Sequence, residues 1–469
     1  MSIPRLRSAA RLSLPEAEAL MPVYQEWLPP SLIRQLFHET GHRFYQRLLP
    51  PLLVLWGLIF QRLNPDHTCD AAWSALSSDA VRERFGLTPL APETLSESNS
   101  AYVQARHRLP WEVVQRVLPT TARAFQRTFG VRGLWHGCRV NLLDGSTLRL
   151  AASPELTAHY GGASNQHGRT HWPILRLVAG FDLFSGVANA VSEGSYRTSE
   201  QTLAVEVIRR LGQGYLHMAD GNFGIYHLLQ VITAVHSQAL FRLSRARAQH
   251  LAGRPLCSGL DLAVTWAPSR FDGREADLPT PGIDGRLLYL RLEREGFRPI
   301  DLYLFTTLRE REAFPMSALV ELYGERWNVE LDLRHVKTTL QMEALDGQSV
   351  DIVRKELVLG LTAYNLLRGL MGVAAIQAHR LPLELSLAQG WRRTLDAMRS
   401  LPPTATPAEV EGVLERLLIR LGRCALPKRK RERFEPRAIW GYASAYSKIK
   451  GSREEARQAW MELLRDKKS

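Results

Sequence analysis

Cysteine is scarce and scattered in this chain, which has 4 cysteines in 469 residues. Cys69, Cys138, Cys257 and Cys424 stand far apart and form no C-x-x-C pair. The sequence therefore indicates neither a disulfide framework nor a zinc knuckle. This usage predicts a reduced, cytoplasmic protein.

Long hydrophobic runs are also missing. The most apolar stretch, residues 48–60, is 13 residues long and contains two prolines, whereas a membrane-spanning helix needs about 20 apolar residues. The run 357–375 contains Arg368 and predicts a buried helix. The first 15 residues scatter arginines where a signal peptide requires an apolar block. We therefore expect no membrane partner.

Acidic residues are too few to balance the basic ones, with 47 Asp and Glu against 60 Lys and Arg and a net charge of +13. The excess is concentrated in residues 376–469, which hold 20 basic and 11 acidic residues and include the basic run 428–433. This bias indicates a polyanionic partner, either nucleic acid or an anionic membrane surface. The length allows two to four domains.

The hydrophobic pattern changes near Trp135. Residues 1–130 carry apolar residues at helical spacing, interrupted by proline pairs, and predict a small α-helical region. Strands are predicted at 139–144, 174–181, 187–191, 215–220, 262–266, 287–292 and 301–307, with a hairpin turn at 182–186. Thr198 and Gln201 form a capping box for a helix that reaches about residue 211. Asp144 and Asp220 close two of these strands, where α/β sheets assemble sites.

The most informative window is the run ELYGERWNVELDLRHVKTTLQ. If it is helical, Tyr323, Arg326, Glu330 and Lys337 lie at about 0°, 300°, 340° and 320° on the helical wheel. They form one stripe beside the apolar face, which consists of Leu322, Val329, Leu333, Val336 and Leu340. Asp332, about 180° from Tyr323, is expected to face solvent. The alternative interpretation is an exposed, ion-paired helix.

Three carboxylates suit a divalent cation. Asp144, Asp220 and Glu330 offer hard oxygen ligands, and they would repel one another if no cation offset their charge. Magnesium or manganese fits such a site, and two ions would stabilise the attacking and leaving oxygens of a phosphodiester. Tyr323, Arg326 and Lys337 would then hold the substrate backbone through its phosphates.

The spacing Y-x2-R-x3-E-x6-K, from Tyr323 to Lys337, resembles the signature of bacterial insertion-sequence DDE transposases of the IS-four type. Arg326-Trp327 and the segment RKELVLGLTAYNLLR (354–368) strengthen the match, as do Asp144-Gly-Ser-Thr and Ala219-Asp220-Gly-Asn-Phe. The similarity covers roughly residues 95–375. It implies catalysis by Asp144, Asp220 and Glu330, which also bind the metal.

The resemblance also implies an α/β fold, in which an RNase H-like catalytic domain, a mixed sheet flanked by helices, is interrupted by a β-rich insertion. We expect an α-helical DNA-binding region at 1–130, the two parts of the catalytic core at 131–239 and 309–376, the insertion at 240–308, and a basic helical region at 377–469. The implied partners are double-stranded DNA, as transposon end and as target, and a second copy of the chain in a homodimer on DNA.

One detail of the sequence departs from the family pattern, and one further role is suggested by the resemblance. Many relatives follow the second aspartate with arginine, whereas Gly221 follows Asp220 here, so a phosphate contact is absent or is supplied elsewhere. Some relatives cut through a DNA hairpin with a flipped base stacked on a tryptophan of the insertion. Trp266 is the candidate for that DNA contact, although a tryptophan in a strand is also a common core residue.

The function that the sequence favours is metal-dependent cleavage at transposon ends and strand transfer to target DNA, in the bacterial cytoplasm at the nucleoid. One alternative is a host nuclease or resolvase on the same fold, without strand transfer. The other is a catalytically idle DNA-binding protein descended from a transposase, which the intact carboxylates argue against.

Overall fold

A computed structural model describes residues 28–64, 66–91, 98–165, 168–270, 272–273, 275–293, 299–400, 406–427 and 452–466. Within these ranges, α-helices precede, flank and follow a central β-sheet. The predicted basic run 428–433 and the first 27 residues of the predicted N-terminal region lie outside the described residues.

The described part of the N-terminal region is helical, as its apolar spacing predicts. The helices are α1 (Pro30–Glu39), α2 (Pro51–Leu63), α3 (Cys69–Ser77), α4 (Asp79–Arg84), α5 (Ser100–Arg108) and α6 (Trp111–Phe129). Proline is the first residue of α1 and of α2, a position at which the backbone N–H that proline lacks would have no partner within the helix. The Thr68 and Ser78 hydroxyls cap α3 and α4 by accepting backbone N–H groups.

The central sheet begins shortly after Trp135, where the hydrophobic pattern of the sequence changes. Its strands are β1 (Arg139–Leu150), β4 (Ile174–Asp182), β5 (Ala188–Ser195), β6 (Tyr215–Ala219), β7 (Gln238–Arg242), β8 (Leu260–Trp266), β9 (Ile283–Leu292), β10 (Ile300–Thr306) and β11 (Ala344–Leu345). They lie in the order β5-β4-β1-β6-β7-β10-β9-β8, and β11 pairs with β1. A separate hairpin joins β2 (Ser164–Asn165) to β3 (Gly168–Arg169).

The sheet is mixed. β4 runs antiparallel to β1 and to β5, whereas β6 is parallel to β1 and β7 is parallel to β6. β10, β9 and β8 then continue the same sheet with antiparallel pairing. The strands predicted at 262–266, 287–292 and 301–307 are therefore present, and they extend the central sheet.

The remaining helices surround and follow the sheet. They are α7 (Pro154–Tyr160), α8 (Glu200–Leu211), α9 (Tyr226–Ala234), α10 (Arg245–Ala252), α11 (Met316–Gly324), α12 (Trp327–Arg334), α13 (Val350–Gln377), α14 (Leu387–Arg399), α15 (Pro407–Gly422) and α16 (Arg453–Asp466). The predicted cap of α8 is wrong by one residue, because the Ser199 hydroxyl accepts the N–H of Thr202. Gln201 bonds to Asn222 instead.

Two hydrophobic cores cover the two faces of the sheet. Leu142 belongs to the core shared with α6, α12 and α13, whereas Leu143 belongs to the core shared with α8 and α9. Because side chains alternate along a strand, even-numbered residues of β1 project towards the α13 side. Asp144 is therefore on that side.

The 28-residue helix α13 confirms the prediction of a buried apolar helix. It is long and apolar enough to cross a membrane, yet 94% of its most apolar window is buried inside the protein, as in the core helix of a soluble protein. Glycines allow α6 to approach closely, since a Cβ on Gly369 would lie 2.0 Å from the Phe125 ring and one on Gly372 would lie 2.4 Å from the Phe129 ring. The N-terminal helices and the sheet consequently share one core.

Candidate active site

Asp144 lies within β1, and Asp220 directly follows the neighbouring parallel strand β6. β1 and β6 pair with an offset of 76 residues, from Arg139 opposite Tyr215 onwards. The last observed pair is Leu142 opposite Met218, so the same offset, continued by two residues (144 to 220), brings Asp220 next to Asp144. The charge of Asp220 accordingly acts on the pKa of Asp144.

β1 does not end at Asp144, as the sequence suggested, but continues to Leu150. β4 pairs with one edge of β1 over almost its whole length. On the other edge, β6 pairs up to Leu142 and β11 begins at Arg149. Among the described strands, none pairs with that edge of β1 from 143 to 148, so Asp144 lies at a gap in the sheet.

The window with the stripe is not one continuous helix. α11 ends at Gly324, a turn at 325–326 separates it from α12, and a π-helical turn follows at His335–Thr339. The N–H of Leu340 accordingly bonds to the carbonyl of His335, five residues back, at 3.2 Å. The predicted apolar face is buried throughout, including Val329 and Val336.

The stripe residues nevertheless gather at the aspartates. Arg326 Nη2 donates to Glu330 Oε1 at 2.6 Å. Lys337 Nζ lies 3.4 Å from Ser146 Oγ, and Ser146 is two residues beyond Asp144 on the same face of β1. The π-helical turn therefore leaves Lys337 close to the strand that carries Asp144.

The pKa of Asp144 is affected by the charges of the two other carboxylates. It is raised from 3.8 to about 6, chiefly by burial and further by the negative charges of Asp220 and Glu330. The Gly145 N–H, 2.8 Å from Asp144 Oδ1, and the Arg326 guanidinium act in the opposite direction. The protein thus holds carboxylates together at an electrostatic cost, which is common at functional sites.

Arg326 and Tyr323 form the polar wall beside these carboxylates. Burial alone would lower the pKa of Arg326, but its hydrogen bond to Glu330 and the charges around it raise the pKa overall. Burial raises the pKa of Tyr323 to about 12, against the opposing charges of Arg326 and Arg242. Tyr323 is therefore a neutral phenol at physiological pH, able to donate a hydrogen bond.

The donor set fits a hard divalent cation. Its members are carboxylates, and the pKa of Asp144 is raised chiefly by burial and further by its acidic neighbours, effects that a bound cation would oppose. Among the described residues, no three Asp, Glu, His or Cys side chains already stand at metal-binding distances. Glu330 Oε1 is bonded to Arg326 in this conformation.

Trp266 and Asp332 are both buried, in contrast to the base-stacking role considered for Trp266 and to the solvent exposure expected of Asp332. Trp266 is 3% exposed, packs edge-on to Phe305 and lies beneath Arg247, so it is a core residue in this conformation and is not available to stack on a base. Asp332 is 1% exposed and accepts hydrogen bonds from Tyr364 and Arg368 of α13. Its expected solvent exposure is wrong because α13 covers that side of α12.

Arg242 was missed by sequence reasoning. β6 and β7 pair with an offset of 22 residues up to Ala219 opposite Phe241, so Asp220 and Arg242 are the next residues along the two chains. The exposed Arg242 lies near enough to Tyr323 to influence its pKa. A cation thus stands beside the second aspartate although Gly221 follows it in sequence. The register of adjacent parallel strands would have been the signal.

Comparisons with known proteins find related sequences. The family described as transposase DDE domain matches residues 135–366. The transposase InsG for insertion sequence element IS4 of Escherichia coli (strain K12) is 26% identical over 433 residues, covering 90% of this chain and 93% of that protein. The putative transposase InsZ of the same organism is 27% identical over 203 residues, covering 43% of this chain and 64% of that protein.

Among solved structures, a piggyBac transposase synaptic complex with hairpin DNA matches with a TM-score of 0.39 and 11% identity, over 87% of this chain and 85% of that one. The match to the DDE domain and the nearly full-length similarity to an IS4 transposase agree with the Tyr-Arg-Glu-Lys spacing. This chain belongs to the IS4 (IS-four) family of DDE transposases and is a DNA transposase.

Proposed function

We propose that Asp144, Asp220 and Glu330 are the catalytic carboxylates with which this transposase cuts DNA at its element's ends and joins the freed 3′ end to target DNA. The observation that carries this assignment is the pairing of β1 with β6, which brings Asp220 next to Asp144, together with Glu330. The pKa of Asp144 is raised to about 6 in part by Asp220 and Glu330.

The same three residues would hold Mg²⁺ or Mn²⁺, and we propose two ions. When bound, the ions supply positive charge that stabilises the attacking and leaving oxygens of a phosphodiester. The chain contributes a partner exchange, in which Glu330 releases Arg326 and turns to the metal site. Arg326 is then free to hold a phosphate oxygen beside the cut.

Tyr323, Arg326 and Lys337 would hold the DNA backbone, together with Arg242. Lys337 stands beside Ser146 on the strand of Asp144, which supports a phosphate contact nearer to the reacting bond than a straight helix would give. An aromatic side chain for base stacking is offered by Trp327, which is 59% exposed and adjacent to Arg326.

The strand order β5-β4-β1-β6-β7, with β4 antiparallel and β6 and β7 parallel to β1, supports an RNase H-like core formed by 131–239 and 309–376. Residues 240–308 would be the insertion, whose three strands prolong the sheet. We assign DNA-end binding to 1–130 and to the basic region 377–469.

Paired ends are cut together, so we propose that the protein acts as a homodimer on double-stranded DNA. Its place of action would be the bacterial cytoplasm, at the nucleoid. The net charge of +13 supports a polyanionic partner.

The test uses duplexes that carry the inverted repeats flanking the gene, with purified protein and Mg²⁺ or Mn²⁺. Asp144→Ala, Asp220→Ala and Glu330→Ala should each abolish cleavage, because the remaining two carboxylates cannot replace the lost ligand. Glu321→Ala is the control, since Glu321 is an exposed carboxylate on α11. Substantial cleavage by any of the three variants would refute the assignment. Cut ends that never join a target plasmid would indicate a nuclease without strand transfer.

A further inference from the structure

A fourth carboxylate, Glu200, lies behind the aspartates. It is the first residue of α8. A Cβ on Gly145 would lie 2.5 Å from Glu200 Cδ and 2.6 Å from Oε1, so the carboxylate occupies the space that a side chain at 145 would need. Because side chains alternate along β1, this space is on the opposite face from Asp144.

Glu200 also reaches the loop that carries the second aspartate. Asn222 Nδ2 donates to Glu200 Oε2 at 2.7 Å. Gln201 Nε2 donates to the backbone carbonyl of Asn222 at 2.9 Å and to its Oδ1 at 2.7 Å. The first turn of α8 therefore holds Asn222 by three hydrogen bonds.

The two residues that Glu200 touches are the ones that orient the aspartates. The Gly145 N–H donates to Asp144 Oδ1 at 2.8 Å, and the Asn222 N–H donates to Asp220 Oδ1 at 2.9 Å. A single side chain thus supports both carboxylates through the backbone groups that bind them.

We propose that Glu200 is a positioning residue that holds Asp144 and Asp220 at a fixed separation before metal binds. This inference rests on the proposed function of the two aspartates. Glu200 is not assigned as a metal ligand, since it lies on the other face of β1 and one of its oxygens is bonded to Asn222. Its role requires a hydrogen-bond acceptor of the right length, with or without a negative charge.

The experiment titrates the full-length protein with Mn²⁺ alone, monitored by electron paramagnetic resonance, beside Mg²⁺-dependent cleavage of end DNA. Glu200→Ala should weaken Mn²⁺ binding by about tenfold, the effect of losing one well-formed hydrogen bond. Glu200→Gln keeps an acceptor for Asn222 and should remain within about threefold of wild type. Glu206→Ala, at an exposed position on the same helix, should bind like wild type.

Wild-type Mn²⁺ binding by Glu200→Ala would overturn the inference. So would a Glu200→Gln variant as weak as Glu200→Ala, because the charge would then matter instead of the bond. If Glu200→Ala does not fold, Asn222→Ala tests the inference instead. Asn222 is the partner of Glu200 in the hydrogen bond, and its side chain is exposed. This variant should weaken Mn²⁺ binding by at least the same factor, because it also removes the bond from Gln201 to Asn222 Oδ1, and wild-type binding would overturn the inference.

Gly145→Ala supplies a second, independent test. Gly145 does not adopt a positive φ, so alanine adds only the clash with Glu200. It should weaken Mn²⁺ binding as Glu200→Ala does, and the double variant should be no weaker than Glu200→Ala alone. Additive losses would overturn the inference. Asp144→Ala and Asp220→Ala separate the two proposals, because wild-type Mn²⁺ binding by these variants would refute the metal site itself.

Discussion

Replacing Asp144 with asparagine should make the metal-free protein more stable while it abolishes cleavage. The substitution keeps the size of the side chain and its acceptor for the Gly145 N–H, and removes only the charge. That charge is unfavourable in the folded protein, because burial, Asp220 and Glu330 raise the pKa of Asp144 to about 6.

The size of the effect follows from that pKa. A rise from 3.8 to about 6 corresponds to a ceiling of about 3 kcal/mol, at ~1.4 kcal/mol per pH unit. Water reaches this half-buried carboxyl and screens part of the repulsion, so we expect a gain of about 1–2 kcal/mol in the free energy of unfolding. A gain of this size raises Tm by a few degrees.

The gain should depend on pH with a definite sign. Between about pH 4 and 6 the folded wild type binds more protons than the unfolded chain, so its stability falls as the pH rises through this window. The advantage of Asp144→Asn should therefore be complete above pH 6 and disappear below pH 4. Thermal unfolding of both proteins at pH 7.5 and at pH 4, without metal, measures the difference.

Asp332→Asn provides the contrast. The pKa of Asp332 is also raised to about 6, chiefly by burial, although Arg368 and Tyr364 act against the rise. Removing its charge leaves the Arg368 guanidinium buried without its ion-pair partner, which should destabilise the protein by about 3 kcal/mol. If Asp144→Asn is neutral or destabilising at pH 7.5, burial and the neighbouring carboxylates do not make the Asp144 charge unfavourable, and the reasoning is refuted.

Three further outcomes are expected. Affinity for end DNA, measured by fluorescence anisotropy, should fall by about 10³ or more between ~50 and ~200 mM salt if six or more phosphates are neutralised; a flat response would point to a different kind of partner. Lys337→Ala should weaken binding to cleaved ends, whereas Glu330→Ala should bind nearly normally in a gel shift and fail to cut, because only a carboxylate can ligate the metal. Gly369→Ala should destabilise the protein by about 2 kcal/mol or more through a clash with Phe125, whereas Gly412→Ala, which meets only Arg416 at 3.4 Å, should stabilise α15 by up to about 1 kcal/mol in thermal unfolding.

Local patterns identified most of the elements that carry the site. Apolar residues located β1, which carries Asp144, and β6, which Asp220 follows, and helical spacing located the buried face around Val329. These signals are local, because they depend on residues within a few positions of each other. The spacing from Tyr323 to Lys337 likewise brought together residues that the structure keeps close.

What the sequence did not reveal depends on distant partners. Asp332 is buried because Arg368, 36 residues later, neutralises it, and a helical wheel contains no such partner. Trp266 is buried by Phe305 and Arg247, which come from other elements. The approach of Asp220 to Asp144 and to Arg242 follows from strand register, which pairing fixes between segments far apart in sequence.

The shared core around α13 limits how this transposase can be divided. Lys355 Nζ of α13 donates to the backbone carbonyls of Arg106 and His107, and Arg106 pairs with Glu356. A chain shortened to begin at residue 131 would leave Lys355 without these carbonyl partners and would expose the α13 surface that Phe125 covers. Such a fragment should aggregate instead of acting as an independent nuclease. A force that bound DNA exerts on the N-terminal helices would also be transmitted to α13. Helix α13 contacts α12, the helix that carries Glu330.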